Sequence, residues 1–138
     1  MQIRSRLTKS GLLGAAAVAA LAFSAAPASA APAVTASPGS GLSDGQSVTV
    51  TGTGFPAGAE VAVAQCRENT TCTDTLTRAT VGADGGFTAP YTVREQFTAT
   101  DWSTGTGTPV TVDCGTQQCQ LVAYQESTGP VGTGISFG

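Results

Sequence analysis

The sequence predicts an all-β domain, an antiparallel sandwich or barrel of short strands. Apolar and polar residues alternate with a period of two in several segments, among them residues 47–51 (SVTVT), and this alternation is typical of strands with one buried face. Turn-forming pieces rich in glycine, proline, aspartate and serine separate the segments. After residue 30, no useful stretch has helical spacing, and glycine and threonine supply 37 of the 108 residues. The length is that of an immunoglobulin-like sandwich.

Seven or eight strands are predicted. Alternating valines define the segments 47–51, 60–64 and 109–113, and β-branched or aromatic residues between turn signals define the others. In chain order the predicted strands cover residues 33–37, 47–51, 60–64, 76–81, 87–93, 109–113, 119–124 and 134–137. Each of them can bury one face and expose the other.

Residues 1–30 are predicted to be a secretory signal peptide. Three positive charges precede an apolar run over residues 12–23, and Ala28-Ser29-Ala30 supplies the small residues of a cleavage site. Residues 31–138 then form one domain, which we expect to be secreted, extracellular and monomeric. The apolar run is too short to span a bilayer, so no membrane attachment is expected after cleavage.

The composition of residues 31–138 excludes several classes of function. This segment contains three arginines and nine acidic residues, which gives a formal charge of −6, and it has no lysine, histidine or methionine. Histidine triads, Schiff bases and histidine–metal sites are therefore excluded. Three scattered arginines do not form the basic surface that grips a DNA backbone. The carboxylates follow strand ends and turns, so we expect no catalytic residue, no catalytic cofactor and no enzyme.

Four cysteines allow three disulfide pairings, and the sequence alone does not choose rigorously among them. Cys66 and Cys72 enclose five residues, and Cys114 and Cys119 enclose four. A local bridge within each pair is geometrically easy, and we expect this pairing. The alternative is a four-thiolate zinc site, against which an oxidising compartment and the long gaps weigh.

Several segments along residues 31–138 together match one known pattern. They are residues 31–34 (APAV), 37–48 (SPGSGLSDGQSV), 64–66 (AQC), 91–94 (YTVR), 111–114 (TVDC) and 134–138 (GISFG). With these segments, and with the four cysteines in order, the chain resembles the neocarzinostatin family, the actinomycete chromoproteins that are the apoproteins of enediyne antibiotics.

The resemblance implies an immunoglobulin-like, seven-stranded antiparallel sandwich with two local disulfides. It also implies a function, that of a secreted apoprotein whose cleft binds, stabilises and carries a noncovalent enediyne-type chromophore. In the family this apoprotein is the carrier part of an antibacterial and cytotoxic antibiotic. The bound or released ligand, rather than the polypeptide, acts on DNA. A domain without lysine, histidine, methionine or a free thiol suits such a reactive cargo.

Five residues are expected to line the ligand cleft, following the order of the family's cleft positions along the chain. They are Leu76, Trp102, Gln120, Val122 and Tyr124. Trp102 lies in a polar, glycine-rich stretch over residues 98–107, where no strand alternation buries it. Its indole either contacts the ligand or folds back as a lid over the core. The other aromatic, Tyr124, shares one strand face with Gln120 and Val122, and this face looks either into the cleft or into the core.

Two departures from the family pattern bear on the cargo. The first disulfide loop is shorter than in members that carry chromophores, and Leu121, Val122 and Tyr124 stand where such members have small residues. An inward Tyr124 partly fills the pocket. The alternative function is a secreted immunoglobulin-like module without reactive cargo, used for protein or cell-surface contact. An open apolar cleft with an exposed Trp102 favours the carrier, and a cleft plugged by Tyr124 favours the module.

Overall fold

The computed structural model describes residues 30–138, so the predicted signal peptide, apart from Ala30, lies outside the described residues. The described part contains nine strands and no helix. The strands are β1 (Ala33–Ser37), β2 (Ser47–Thr53), β3 (Glu60–Glu68), β4 (Thr71–Thr80), β5 (Phe87–Thr92), β6 (Gln96–Asp101), β7 (Thr108–Asp113), β8 (Cys119–Gln125) and β9 (Gly129–Ile135).

The strands form two antiparallel sheets. The small sheet has the order β1-β2-β5, and the large sheet has the order β7-β6-β4-β3-β8-β9. Apolar side chains of both sheets meet in one core, to which β2 contributes Val48 and Val50 and β3 contributes Val61 and Val63. The alternate positions of β2 are exposed, as a half-buried strand requires. The prediction of an all-β antiparallel sandwich is confirmed.

The structure has nine strands where the sequence predicts seven or eight. The prediction missed β6, four of whose six residues lie in the polar stretch 98–107, and placed the last strand at 134–137 instead of Gly129–Ile135. Both segments have weak apolar alternation. Their strand conformation comes from pairing, since β6 pairs with β7 along its whole length and β9 pairs with β8 from end to end. Strand β4 is also longer than predicted, because the first disulfide loop is a paired hairpin.

The register of the β3–β4 hairpin shifts near its middle. Ala64 pairs with Leu76 and Cys66 pairs with Cys72, so β4 carries two more residues than β3 between these pairs. Such a bulge bends its strand and leaves backbone groups without ladder partners. The backbone of Gln65 is at this point.

The hydroxyl of Tyr91, which comes from β5 of the small sheet, occupies the gap in the ladder. It accepts a hydrogen bond from the backbone N–H of Gln65 at 3.1 Å and donates one to the carbonyl of Thr75 at 2.9 Å. Burial raises the pKa of Tyr91, and the hydrogen bond from Gln65 only partly offsets this effect. The phenol therefore keeps its proton and its role as a donor.

The side chain of Gln65 makes a second connection within the core. It is only 1% exposed. Its Oε1 accepts a hydrogen bond from the backbone N–H of Arg94 at 2.9 Å, and its Nε2 donates to the carbonyl of Arg94 at 2.6 Å and to Sγ of Cys114 at 3.3 Å. This buried amide is thus satisfied, and it links β3 to the segment after β5 and to the second disulfide.

Both disulfides join sequence neighbours, as predicted. Cys66 is bonded to Cys72, and Cys114 is bonded to Cys119. The part of the chain that the structure describes contains no free cysteine. The alternative of a four-thiolate zinc site is therefore wrong.

Replacing Tyr91 by phenylalanine is expected to lower the free energy of unfolding by about 1–3 kcal/mol, because a buried N–H and a carbonyl lose their shared partner. Urea unfolding followed by near-ultraviolet circular dichroism measures the change. Tyr124→Phe is the matched control: this tyrosine is half exposed, and its hydroxyl makes no hydrogen bond among the described residues. We expect the control to change stability by less than about 0.5 kcal/mol. Equal losses in the two variants would contradict the bridging role of Tyr91.

Candidate functional site

The outer face of the large sheet, opposite the core, carries an open apolar groove. Val61 and Val63 of β3 point into the core. Because side chains alternate along a strand, Ala62 and Ala64 point to the outer face. The groove has a volume of about 320 Å³. Its lining residues are Ala62, Ala64, Cys66, Asn69, Cys72, Leu76, Val122, Tyr124 and Pro130. We call this feature the apolar groove.

The apolar groove has a floor of small side chains between larger ones. Strand pairing places Ala62 opposite Tyr124, and Ala64 between Val122 on one side and Leu76 on the other. Val122 is buried in the floor, whereas Leu76 is 45% exposed and Tyr124 is 51% exposed. Half-exposed apolar walls over a floor of small residues are suited to a flat apolar ligand, which gains affinity from the area it removes from water.

A second depression adjoins the apolar groove across the Cys66–Cys72 disulfide. It has a volume of about 360 Å³ and is lined by Asn69, Thr70, Cys72, Thr73, Asp74, Thr100 and Trp102. Asn69 and Cys72 line both features. We call the second one the Trp102 pocket. It is more polar than the apolar groove, and its one large apolar wall is the indole.

The turn after β6 positions Trp102. The carboxylate of Asp101 accepts a hydrogen bond from the backbone N–H of Ser103 at 2.8 Å, and the backbone N–H of Gly105 donates to the carbonyl of Trp102 at 3.0 Å. The hydrogen bonds from Ser103, and to a lesser extent the charge of Arg67, hold the pKa of Asp101 below its usual value. Asp101 therefore stays ionised and keeps the turn closed.

Arg67 connects this turn to the tip of the β3–β4 hairpin. Its Nη2 lies 3.7 Å from Oδ2 of Asp101 and 3.2 Å from Oε1 of Glu68. The guanidinium is thus shared by two carboxylates, one on the hairpin and one on β6. This contact adds to the backbone pairing of Thr71–Thr73 with Ala99–Asp101, which joins the two sides of the Trp102 pocket.

The structure brings together three of the five predicted site residues and places the fourth beside them. Leu76, Val122 and Tyr124 line the apolar groove, and Trp102 lines the adjoining pocket. The indole is 60% exposed, so it does not cover the core. Tyr124 forms a wall of the groove without filling it, and the groove stays open.

Gln120, the fifth predicted residue, does not line the groove but lies at its end. Its Nε2 donates a hydrogen bond to Oδ1 of Asn69 at 2.9 Å, which connects β8 to the hairpin tip. Its side chain lies over Gly132, where a Cβ would come within 2.7 Å of Oε1 of Gln120. The contact of Gln120 with the groove is therefore indirect, through Asn69.

Sequence reasoning missed the two alanines in the floor of the groove. Ala62 and Ala64 lie in the same alternating segment that predicted the core valines Val61 and Val63. Small apolar residues at the outward positions of a strand were a usable signal, because a merely solvated face is ordinarily polar.

Several carboxylates of this domain have structural partners. Glu60 pairs with Arg78 at 3.2 Å, Asp84 accepts a hydrogen bond from the backbone N–H of Gly86, and Asp113 accepts one from Gly115. Within residues 30–138, no group of three or more histidine, cysteine or acidic side chains is placed to hold a metal ion. No helix in the same range is long and apolar enough to cross a membrane.

Comparisons with known proteins agree on one family. Residues 34–137 match the model of the neocarzinostatin family. The chain is 37% identical to the antitumor antibiotic C-1027 apoprotein of Streptomyces globisporus, over 96% of this chain and 94% of that protein. It is 36% identical to actinoxanthin of the same organism, with the same coverage.

Solved structures also have a fold similar to that of this chain. The fold is similar to that of macromomycin, with a TM-score of 0.69 and 35% identity over 78% of this chain and 100% of that chain. It is also similar to the solution conformation of apokedarcidin, with a TM-score of 0.59 and 29% identity over 79% of this chain and 100% of that chain. The family model covers nearly all of the described residues, and the relatives share both sequence and fold. The chain therefore belongs to the neocarzinostatin family.

Proposed function

We propose that this chain is a secreted carrier apoprotein that holds an enediyne-type chromophore noncovalently, as part of an antibiotic whose released ligand damages DNA. The open apolar groove, with Tyr124 on its wall instead of inside it, is the observation that carries the proposal. The relatives support it, since one is named as the apoprotein of an antitumor antibiotic and another is described as apokedarcidin. In this role the protein binds and protects its ligand and does not transform it.

The two parts of the site suit two parts of one ligand. The apolar groove offers Ala62, Ala64 and Val122 beneath a flat apolar group, and burial of that group supplies most of the affinity. Asn69, at the boundary with the Trp102 pocket, orients the ligand through hydrogen bonds. Its own Oδ1 already accepts a hydrogen bond from Gln120, which leaves the amide N–H groups of Asn69 for a ligand.

The surroundings of the site are chemically inert toward a reactive ligand. Among the described residues every cysteine is in a disulfide, and residues 31–138 contain no lysine, histidine or methionine. A ligand in the groove therefore meets few nucleophiles and few easily oxidised groups. With a formal charge of −6 the polypeptide is repelled by DNA, so DNA is reached only through the ligand.

A second candidate function has one observation in its favour. Leu76, Trp102 and Tyr124 are large apolar side chains exposed around the same two depressions, and such a surface also suits protein contact. A secreted immunoglobulin-like module would use this face to bind a partner. Titration with a small aromatic ligand separates the two functions, because a protein-contact face that is not a pocket does not bind a small molecule tightly.

Export is expected to remove residues 1–30. Strand β1 starts at Ala33, so cleavage after Ala30 leaves all nine strands intact. Intact mass of the protein from the culture medium should correspond to a chain that begins at Ala31 and lacks four hydrogens relative to its reduced form. A start inside β1, or a mass with free thiols, would contradict this expectation.

The fluorescence of Trp102, the only tryptophan in the chain, should be quenched or shifted by an extended aromatic such as 6-phenyl-2-naphthol, which is long enough to reach from the apolar groove into the Trp102 pocket. Trp102→Ala is expected to weaken binding of the same ligand by about 1–3 kcal/mol, the usual cost of removing an aromatic anchor. Calorimetry measures both proteins, and Trp102→Phe is the control that retains an aromatic ring. A wild-type protein that binds no aromatic ligand would refute the carrier function and leave the contact module.

Replacing Tyr124 by serine should weaken binding of 2-naphthol by about 0.5–1.5 kcal/mol, because the groove loses an aromatic wall. Since the ring is half exposed, the free energy of unfolding should fall by less than about 1 kcal/mol. Tyr124→Phe keeps the ring and should bind as the wild type does. Tighter binding by Tyr124→Ser would show that the ring obstructs the groove.

A further inference from the structure

The indole of Trp102 lies directly on the backbone of Gly107. The β6–β7 ladder ends at the pair of Asp101 and Thr108, so the next two residues that face each other are Trp102 and Gly107. A Cβ placed on Gly107 would come within 2.8 Å of Cη2 and 3.0 Å of Cζ3 of the indole. No real Cβ tolerates the first of these contacts, so any side chain at position 107 must displace the ring.

The backbone of Gly107 does not itself require glycine. Gly105 in the same turn has a φ of 84°, in the left-handed region that favours glycine, whereas Gly107 does not have a positive φ. The packing of the indole is therefore what requires a glycine at position 107. An aromatic ring that covers a glycine on the neighbouring strand is a known way to stabilise such a pair.

Strand alternation places the side chain of Trp102 on the face of the sheet that carries the ligand site. Thr100 pairs with Cys72, whose side chain lines both depressions, and Trp102 lies on the same face two residues farther along. The Cγ2 of Thr100 lies 3.0 Å from the position of a Cβ on Gly107. The outer edge of the indole thus lies over Gly107, next to Thr100, and the same side chain lines the Trp102 pocket.

We propose that Gly107 is a specificity-determining residue of the ligand site. By leaving the space that the indole occupies, it keeps the Trp102 pocket open to a ligand that extends across the Cys66–Cys72 disulfide. A side chain at position 107 lifts the ring, changes the shape of this pocket and leaves the apolar groove unchanged. Ligand length, rather than overall affinity, is then what position 107 controls. The inference rests on the proposed carrier function, because it requires the ligand to use both depressions.

The first test uses the ligand-free protein. In the wild type, the γ-methyl protons of Thr100 and the α-protons of Gly107 should show ring-current shifts in the NMR spectrum, and Trp102→Ala should abolish them. Gly107→Ala should abolish the shift of Thr100 and alter the Trp102 emission. Gly134→Ala is the matched control, because Gly134 has no positive φ and its nearest neighbour would be 3.4 Å from a Cβ. A Thr100 shift that persists in Gly107→Ala would overturn the proposal.

The second test compares two ligands, 2-naphthol, which fits the apolar groove alone, and 6-phenyl-2-naphthol, which extends into the Trp102 pocket. Gly107→Ala should weaken the longer ligand about tenfold and the shorter one less than about twofold. In a Trp102→Ala background, Gly107→Ala should change neither affinity, because a residue that acts through the indole has no effect without it. Equal losses for both ligands, or the same loss without the indole, would overturn the proposal.

Two outcomes keep this inference separate from the carrier function. Wild-type protein that binds neither ligand refutes the carrier function, and the specificity role with it. Wild-type protein that binds both, with an unchanged affinity ratio in Gly107→Ala, refutes only the role of Gly107. If Gly107→Ala does not fold, the Gly107→Ala, Trp102→Ala double variant should melt cooperatively again, since the shortest contact, with the indole, is gone and the methyl group of Thr100 can give by a few tenths of an ångström. A double variant that also fails to fold would contradict the packing argument.

Discussion

A single phenol hydroxyl joins the two sheets at the point where the β3–β4 ladder is interrupted. Tyr91 belongs to the small sheet, yet its oxygen takes the place of a missing ladder bond between Gln65 and Thr75 in the large sheet. Without such a partner, a bulge with two extra residues would leave a buried N–H unpaired, at a cost comparable to a lost hydrogen bond. The fold tolerates the bulge because the opposite sheet supplies the Tyr91 hydroxyl as hydrogen-bond partner for both backbone groups.

The bulge in turn positions the ligand site. On the C-terminal side of the bulge, residues 76–80 of β4 pair only with β3. On its N-terminal side, the residues from Thr71 to Thr73 also pair with β6. This pairing brings the Cys66–Cys72 hairpin beside the turn that carries Trp102, and the guanidinium of Arg67, shared by Glu68 and Asp101, adds a contact between them. The apolar groove and the Trp102 pocket are adjacent because one irregular strand serves both.

Core and site are built from opposite faces of the same strands. Strand β3 gives Val61 and Val63 to the core and Ala62 and Ala64 to the groove, so a shift of one residue in register would exchange the two faces. The valines fill the space between the sheets, and the alanines leave space over the outer face. The protein thus acquires a binding site without opening its core. Such a site suits a carrier, which needs a stable shell and no chemistry of its own.

The sequence by itself determined the features that depend on short separations along the chain. Alternation with period two predicted most strands and the all-β class. The short spacings of five and four intervening residues favoured the two local disulfides over the other two pairings without excluding them, because cysteines close in sequence meet easily. Tertiary structure decided the rest. Strands β6 and β9 exist because partners pair with them, and whether Tyr124 and Trp102 face the core or the ligand site depends on strand register and on Gly107, which lies opposite the indole. These outcomes are set by contacts between segments far apart in sequence, and local patterns carry no information about which segments will meet.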